Sequence, residues 1–269
     1  MKADYINQFG PATNIQVGTL PDPVCQEGEV LVETIATTVN HVDTFVRSGQ
    51  YLITAPLPFV VGRDLVGRVK ATHSDKSTFT VGDLVWSNSM GYEDRAGTTS
   101  SLVAVPSDRL FHLPEGVDPY KAVSAFHATT TAVLILTERL HPSSGERILI
   151  QGGAGNVASK LIETILLLGL EVTTTCAVRD FPKFEQWLVE CVDYHDQDYP
   201  FSQYDYIIDT SGKNTLQHNL SLLKKGGSVV IITKPIEKTF DAWSFYTKQQ
   251  QIVGFVLSQA SAGELSHVA

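Results

Sequence analysis

The hydrophobic rhythm of the chain changes near residue 120. Before that point, short runs rich in Val, Ile and Thr alternate apolar with polar positions: "EVLVETIATTV", "LVGRVKATH", "DLVWS" and "SLVAVP". Such alternation predicts half-buried strands. Pro21, Pro23, Pro56, Pro58, Gly82 and Gly116 punctuate the runs and predict the turns between them. Beyond it, "DPYKAVSAFHATTTAVLILTERL" spaces apolar residues three and four apart, as a helix does. Strand and helix patterns then alternate through "RILIQ", a helix after Gly155, "EVTTTCA", a helix around "PKFEQWLVEC", "YDYIIDTS", "TLQHNLSLLKKGG", "SVVIIT" and "QIVGFVL". A βαβ series whose strands are rich in Val and Ile predicts a parallel sheet with helices on both faces. The expectation is an α/β chain with a β-rich domain over residues 1–120 and a doubly wound domain over 121–269.

With 269 residues, 43% hydrophobic and 18% charged, the chain can bury a sizeable core. No apolar run reaches the roughly 18 residues needed to cross a bilayer, and "MKADYINQFG" lacks the charged-then-apolar pattern of a secretion signal. A cytoplasmic protein without a membrane partner is expected. The formal charge of −9 disfavours nucleic acid, so any bound phosphate must be held by local donors. Cys25, Cys176 and Cys191 are odd in number and lack C-x-x-C spacing, which predicts buried thiols rather than a disulfide framework or structural zinc.

Within "ILIQGGAGNVASKLIETILLLG", Gly153-Ala-Gly155-Asn-Val-Ala158 matches G-x-G-x-x-G/A directly after a strand and at the start of a helix. The first glycine permits a tight turn, the second lets a pyrophosphate approach the backbone, and the small third residue lets helix and strand pack closely. Unpaired amides at the helix start, with the helix dipole, supply the positive field that net charge denies. Gly153, Gly155, Asn156 and Val157 are therefore candidate dinucleotide contacts. Roughly 20 residues on, where an acidic ribose ligand belongs, Thr174 to Val178 offer none, and Arg179 and Lys183 follow. This pattern favours a 2′-phosphate, and so NADPH over NADH. Ser211 and Gly212, at the carboxyl end of a strand, and Thr233, past the next one, are further candidates, whereas Gly226 and Gly227 predict a structural turn.

At this point "GEVLVETIATTVNHVDTFVRSGQY", "PLPFVVGRDLVGRV", "VGDLVW", "LPEGVDP" and "KKGGSVVII" stand in order. Together they resemble the medium-chain dehydrogenase/reductases, specifically the zinc-independent quinone oxidoreductase (zeta-crystallin-like) branch, over nearly the whole chain. The resemblance implies an N-terminal β-rich GroES-like catalytic domain joined to a Rossmann domain, with substrate in the cleft between them. Zinc-dependent relatives carry Cys at Asn40, Gly-His-Glu at Gly62-Arg63-Asp64 and a third ligand near Phe126, so no metal is expected here. His41 and His127 beside these positions are read as packing or surface residues. The resemblance places Asn40, Asp43 and Tyr51 near nicotinamide and substrate, and likewise Thr130, although Thr131-Ala132 departs from the usual Ala-Tyr. Alternatively, Asn40 caps a helix and Asp43 pairs with Arg47. Relatives usually continue past "QIVGFVL" with segments returning to the first domain, a return that "SQASAGELSHVA" lacks on this reading.

The function expected is NADPH-dependent transfer of hydride to a quinone or α,β-unsaturated carbonyl, with Asn40, Tyr51 and Thr130 as catalytic candidates. The partners expected are a small-molecule substrate and, through an edge near Ile252 to Leu257, a second copy of the chain. A non-catalytic NADPH-binding protein of the same fold is the alternative.

Overall fold

The β-rich runs of the first half form antiparallel sheets. Five strands pair in the order Leu102–Pro106, Glu29–Thr38, Asp64–Thr72, Leu84–Ser87 and Phe111–His112. Their shared core is Val30, Val32, Leu65, Val69, Val85, Val103 and Val105, the inward positions of the period-two pattern. A second sheet joins Ile15–Thr19, Lys2–Ile6 and Phe59–Val60. The strand Ile15–Thr19 has no buried residue, and Val17 is 82% exposed, so no apolar face announced it. This computed structural model describes residues 1–51, 53–73, 77–196, 203–234, 236–237 and 239–268.

The second half forms one six-stranded parallel sheet in the order Glu190–Asp193, Val172–Cys176, Ile148–Gln151, Tyr204–Asp209, Leu223–Ile231 and Gln251–Gly254. Numbered along the chain that order is 3-2-1-4-5-6, which reverses direction between Ile148–Gln151 and Tyr204–Asp209. A crevice at the carboxyl ends of the strands is expected at such a reversal. Ile148–Gln151 is buried along its whole length, as a strand covered on both faces must be. On the helix Asn156–Leu167, Ala158, Leu161, Ile162 and Ile165 form the buried stripe.

Several expectations are corrected. The helix around "PKFEQWLVEC" covers only Pro182–Glu185, because Leu188 takes a positive φ of 54° and turns the chain into the unexpected edge strand Glu190–Asp193. Gly226 and Gly227 lie inside the strand Leu223–Ile231. The register there jumps from Tyr204↔Leu223 to Tyr206↔Ser228, so they form a bulge rather than a preceding turn. The long helix runs Pro119–Leu134 and continues as a π-helical stretch over Ile135–Leu140.

The chain divides into two compact units, Met1–His127 with the residues from Leu257 on, and Ala128–Val256. The boundary falls after 127 rather than 120 because Ala122 and Val123 pack with Val66, Trp86 and Leu113 of the first unit. The residues from Leu257 on belong to the first unit. Arg109 Nη1 donates to Ala260 O at 2.6 Å, Arg95 Nη2 to Ser258 O at 3.3 Å, and Gln259 Nε2 to Tyr92 Oη at 2.8 Å. Leu257, Ala260 and Leu265 are buried there. Ser261 and Glu264 form a capping box on the helix Ala262–Ser266.

Candidate active site

In the second unit, the loop after Ile148–Gln151 assigns its glycines differently from the motif reading. The tight turn belongs to Gly152, with φ +86°, whose N–H points at Thr175 O (3.2 Å) and Oγ1 (3.1 Å). Gly153 serves packing, since a methyl group there would lie 2.1 Å from Thr174 Oγ1. Its N–H is already given to Thr175 O at 2.8 Å, so it is not an unpaired donor. The Gly155 N–H is likewise paired, donating to Gly152 O at 2.9 Å, but the surroundings of its Cα differ. Gly155 is the N-cap of Asn156–Leu167 with φ −74°, and no side chain caps the helix start. Apart from its chain neighbours, Gly152 O at 3.2 Å is the only heavy atom among the described residues within 4 Å of where its side chain would be. Backbone conformation does not require glycine here, and packing opposes a side chain only through Gly152 O. Amides at such a helix start, including those of Asn156 and Val157, suit an anion. Ala158 is fully buried, as close helix–strand packing requires.

The neighbouring strand ends are built around Asp209. Its Oδ1 accepts the N–H of Ser211 (2.9 Å), the N–H of Gly212 (3.1 Å) and the Ser211 hydroxyl (2.8 Å), while Oδ2 accepts from Asn219 Nδ2 at 3.1 Å. Ser211 is thus committed to shaping the turn. A methyl group at Gly212, which has φ +59°, would lie 2.1 Å from Thr233 Oγ1, so Thr233 abuts this turn. At the end of Val172–Cys176, Asp180 is an acid that the sequence reading overlooked. Lys183 Nζ lies 2.6 Å and Arg179 Nε 3.8 Å from its carboxylate, and the bond from Lys183 holds that carboxyl below its ordinary range. Arg179 stays 85% exposed. Of the cysteines, Cys176 is buried and Cys25 and Cys191 are partly so; all three are free thiols. Desolvation and the neighbouring Cys176 push the Cys191 thiol up to about 12, which makes it a poor nucleophile.

The first unit gathers a second group of candidates. Asn40 precedes the helix His41–Ser48, and its N–H donates to Asp43 Oδ2 at 2.7 Å. Asn40 Nδ2 donates to Asp64 Oδ2, also at 2.7 Å. The expected Asp43–Arg47 pair is not formed: Arg47 Nη1 donates to Gly10 O, and Asp43 Oδ1 faces Arg63 Nε at 3.8 Å. Burial pushes the Asp43 carboxyl up to about 6, and the charge of Asp64 adds to this against the opposing Asn40 N–H, Arg63 and His127. The Arg63 guanidinium, 1% exposed, lies over the rings of Tyr51 (6.0 Å) and Tyr92 (5.5 Å). Tyr51 packs against Ile6, Val46, Ala55 and Phe59, and burial raises the pKa of its hydroxyl. His127 Nδ1 approaches Asp64 Oδ1 at 3.5 Å. The tertiary fold brings these residues together from distant parts of the chain, and sequence spacing carries no trace of it. Among the described residues no group of three His, Cys, Asp or Glu side chains could hold a metal.

Thr130, in the second unit, is buried and has a partner within the protein. The neighbouring Thr131 hydroxyl is buried with no hydrogen-bond partner among the described residues, and the sequence reading passed over it. The signal available was the run of three threonines, only one of which can point in a given direction from a helix.

Residues 26–115 match the alcohol dehydrogenase GroES-like domain. A quinone oxidoreductase of Sus scrofa is 27% identical over 259 residues, covering 92% of this chain and 77% of the relative. Among solved structures, an alcohol dehydrogenase superfamily protein from Novosphingobium aromaticivorans is 27% identical with a TM-score of 0.84, covering 100% of this chain and 83% of that one. The Escherichia coli quinone oxidoreductase complexed with NADPH has a TM-score of 0.88 at 19% identity, covering 100% and 85%, and bears on the fold alone. No helix among the described residues is long and apolar enough to cross a membrane. Residues 26–115 thus carry an alcohol dehydrogenase GroES-like domain, and over most of its length the chain is similar to quinone oxidoreductases.

Proposed function

We propose that the protein is a cytoplasmic NADPH-dependent oxidoreductase that reduces a quinone or an α,β-unsaturated carbonyl without zinc. The observation that carries this reading is the helix start at Gly155, where no side chain caps the helix and a side chain would meet only Gly152 O. The amides of Asn156 and Val157 hold the diphosphate at the helix start while Gly155 leaves room for it, an attraction that survives a net charge of −9 because it is local. Gly153 supports that loop by its contact with Thr174. Arg179 and Lys183 meet the 2′-phosphate, with Asp180 fixing their position. Ser211 and Thr233 shape the adjoining strand ends. The cofactor supplies the hydride chemistry when bound. Asn40, its amide anchored on Asp64, orients a reactant by hydrogen bonding, and Thr130 serves the same end from its helix. Tyr51 is a polar wall whose hydroxyl keeps its proton. The quinone oxidoreductases to which the chain is similar support the choice of substrate class. The edge strand Gln251–Gly254 pairs with a second copy to form a homodimer.

NADPH oxidation by the purified protein, followed with 1,4-benzoquinone and with simple enones, tests the reading. Turnover is expected, with NADPH preferred to NADH. Inactivity on both substrate classes, or tight NADPH binding without turnover, overturns it. Sedimentation of the same preparation is expected to give a dimer.

A further inference from the structure

The carboxylate of Asp64 is fully buried and has two neighbours that divide its oxygens between them. Oδ2 accepts the Asn40 amide at 2.7 Å, and Oδ1 lies 3.5 Å from His127 Nδ1. Oδ1 and Nδ1 are both buried, neither has a hydrogen-bond partner among the described residues, and each faces the other at 3.5 Å. The His127 side chain is nevertheless 14% exposed, so the accessible part of the ring lies away from Nδ1. One buried acid therefore lies behind a partly exposed imidazole, and the same acid fixes the amide already assigned to orienting a reactant.

Resting on the reductase reading, we infer that His127 is the proton donor of the reaction and that Asp64 is its positioning residue. Reduction of a quinone or enone needs one hydride and one proton. As carbon takes up the hydride, the electron pair displaced from the π system reaches the substrate oxygen, which takes the proton from His127 Nε2. The N–H electron pair stays on the ring, leaving a neutral imidazole, and solvent water returns the proton. Asp64 holds the Nδ1–H tautomer through this cycle, which keeps Nε2 available to give and regain the proton. The other ionisable groups of the cluster are less suited. Arg63 does not release its proton near neutrality. Tyr51 is raised by burial. Asp43, 8% exposed, is engaged by the Asn40 N–H.

The test compares wild type with H127Q, H127A and D64N. In H127Q, kcat with benzoquinone is expected to fall about 100-fold or more, the range of a lost general acid, while the affinity for NADPH is unchanged. Added imidazole is expected to restore part of the kcat of H127A, a rescue that a purely structural role would not show. Independently of turnover, imidazole 15N shifts are expected to report the Nδ1–H tautomer at His127 in the wild type and its loss in D64N. H127Q with wild-type kcat and pH profile, or a neutral His127 ring whose single proton sits on Nε2 rather than Nδ1, overturns the assignment and leaves the reductase reading standing. A wild type inactive on quinones and enones sinks that reading, and the proton-donor role falls with it.

Discussion

Asp43 stands 3.8 Å from a guanidinium and yet is held up at about 6, because burial outweighs an ion pair at that separation. In the unfolded chain an aspartate titrates near ~3.9. As pH rises from about 4 to about 6, the unfolded state therefore loses its proton first and the folded state becomes relatively less stable. The stabilisation is complete below that window and gone above it, a change of about 3 kcal/mol. In D43N this slope is expected to disappear, whatever the mutation does to absolute stability. Urea unfolding at several values between pH 4 and 7 measures it, and an undiminished slope would assign the effect to another group. This behaviour was not legible in the sequence, where Asp43 sits four residues before Arg47 on a short helix. Local spacing suggested that partner, and the tertiary fold supplied Arg63, from the bend before the strand Asp64–Thr72, instead.

The elements whose faces differ in polarity were readable: the alternating strands of the first sheet and the stripe on Asn156–Leu167 follow directly from side-chain periodicity. Ile15–Thr19 and Glu190–Asp193 were not, since neither has a fully buried residue to set a period. The glycine loop was legible as a motif but not in its division of labour, because the sign of φ at Gly152 and the proximity of Thr174 to Gly153 are three-dimensional facts. That division predicts opposite outcomes for two small substitutions. G153A forces a methyl group against Thr174 Oγ1 and is expected to cost roughly 1–3 kcal/mol of stability. G155A, at a compatible φ, is expected to change stability by less than about 1 kcal/mol but to weaken NADPH binding. Thermal melts with calorimetric titration check both, and equal effects on stability would refute the assignment.

At the scale of the molecule, the first unit is assembled from two separated lengths of chain. The change of rhythm near 120 is local, and a pattern of periods cannot show a later segment rejoining an earlier domain. Removing the residues from Leu257 on leaves the Arg95 and Arg109 guanidinium groups without the carbonyls of Ser258 and Ala260, and removes the burial of Leu257 and Leu265. Each leucine contributes roughly 1.5–3 kcal/mol. The truncated chain is expected to unfold its first unit at markedly lower urea, reported by Trp86 fluorescence; an unshifted transition would mean that the segment is decorative. This arrangement also bears on biosynthesis. The second unit leaves the ribosome before the segment from Leu257 on, so the nascent first unit waits without that segment, whose Leu257 and Leu265 become buried only once the following unit has been made. A chaperone that recognises exposed leucine and valine would find its target during that interval, and only then.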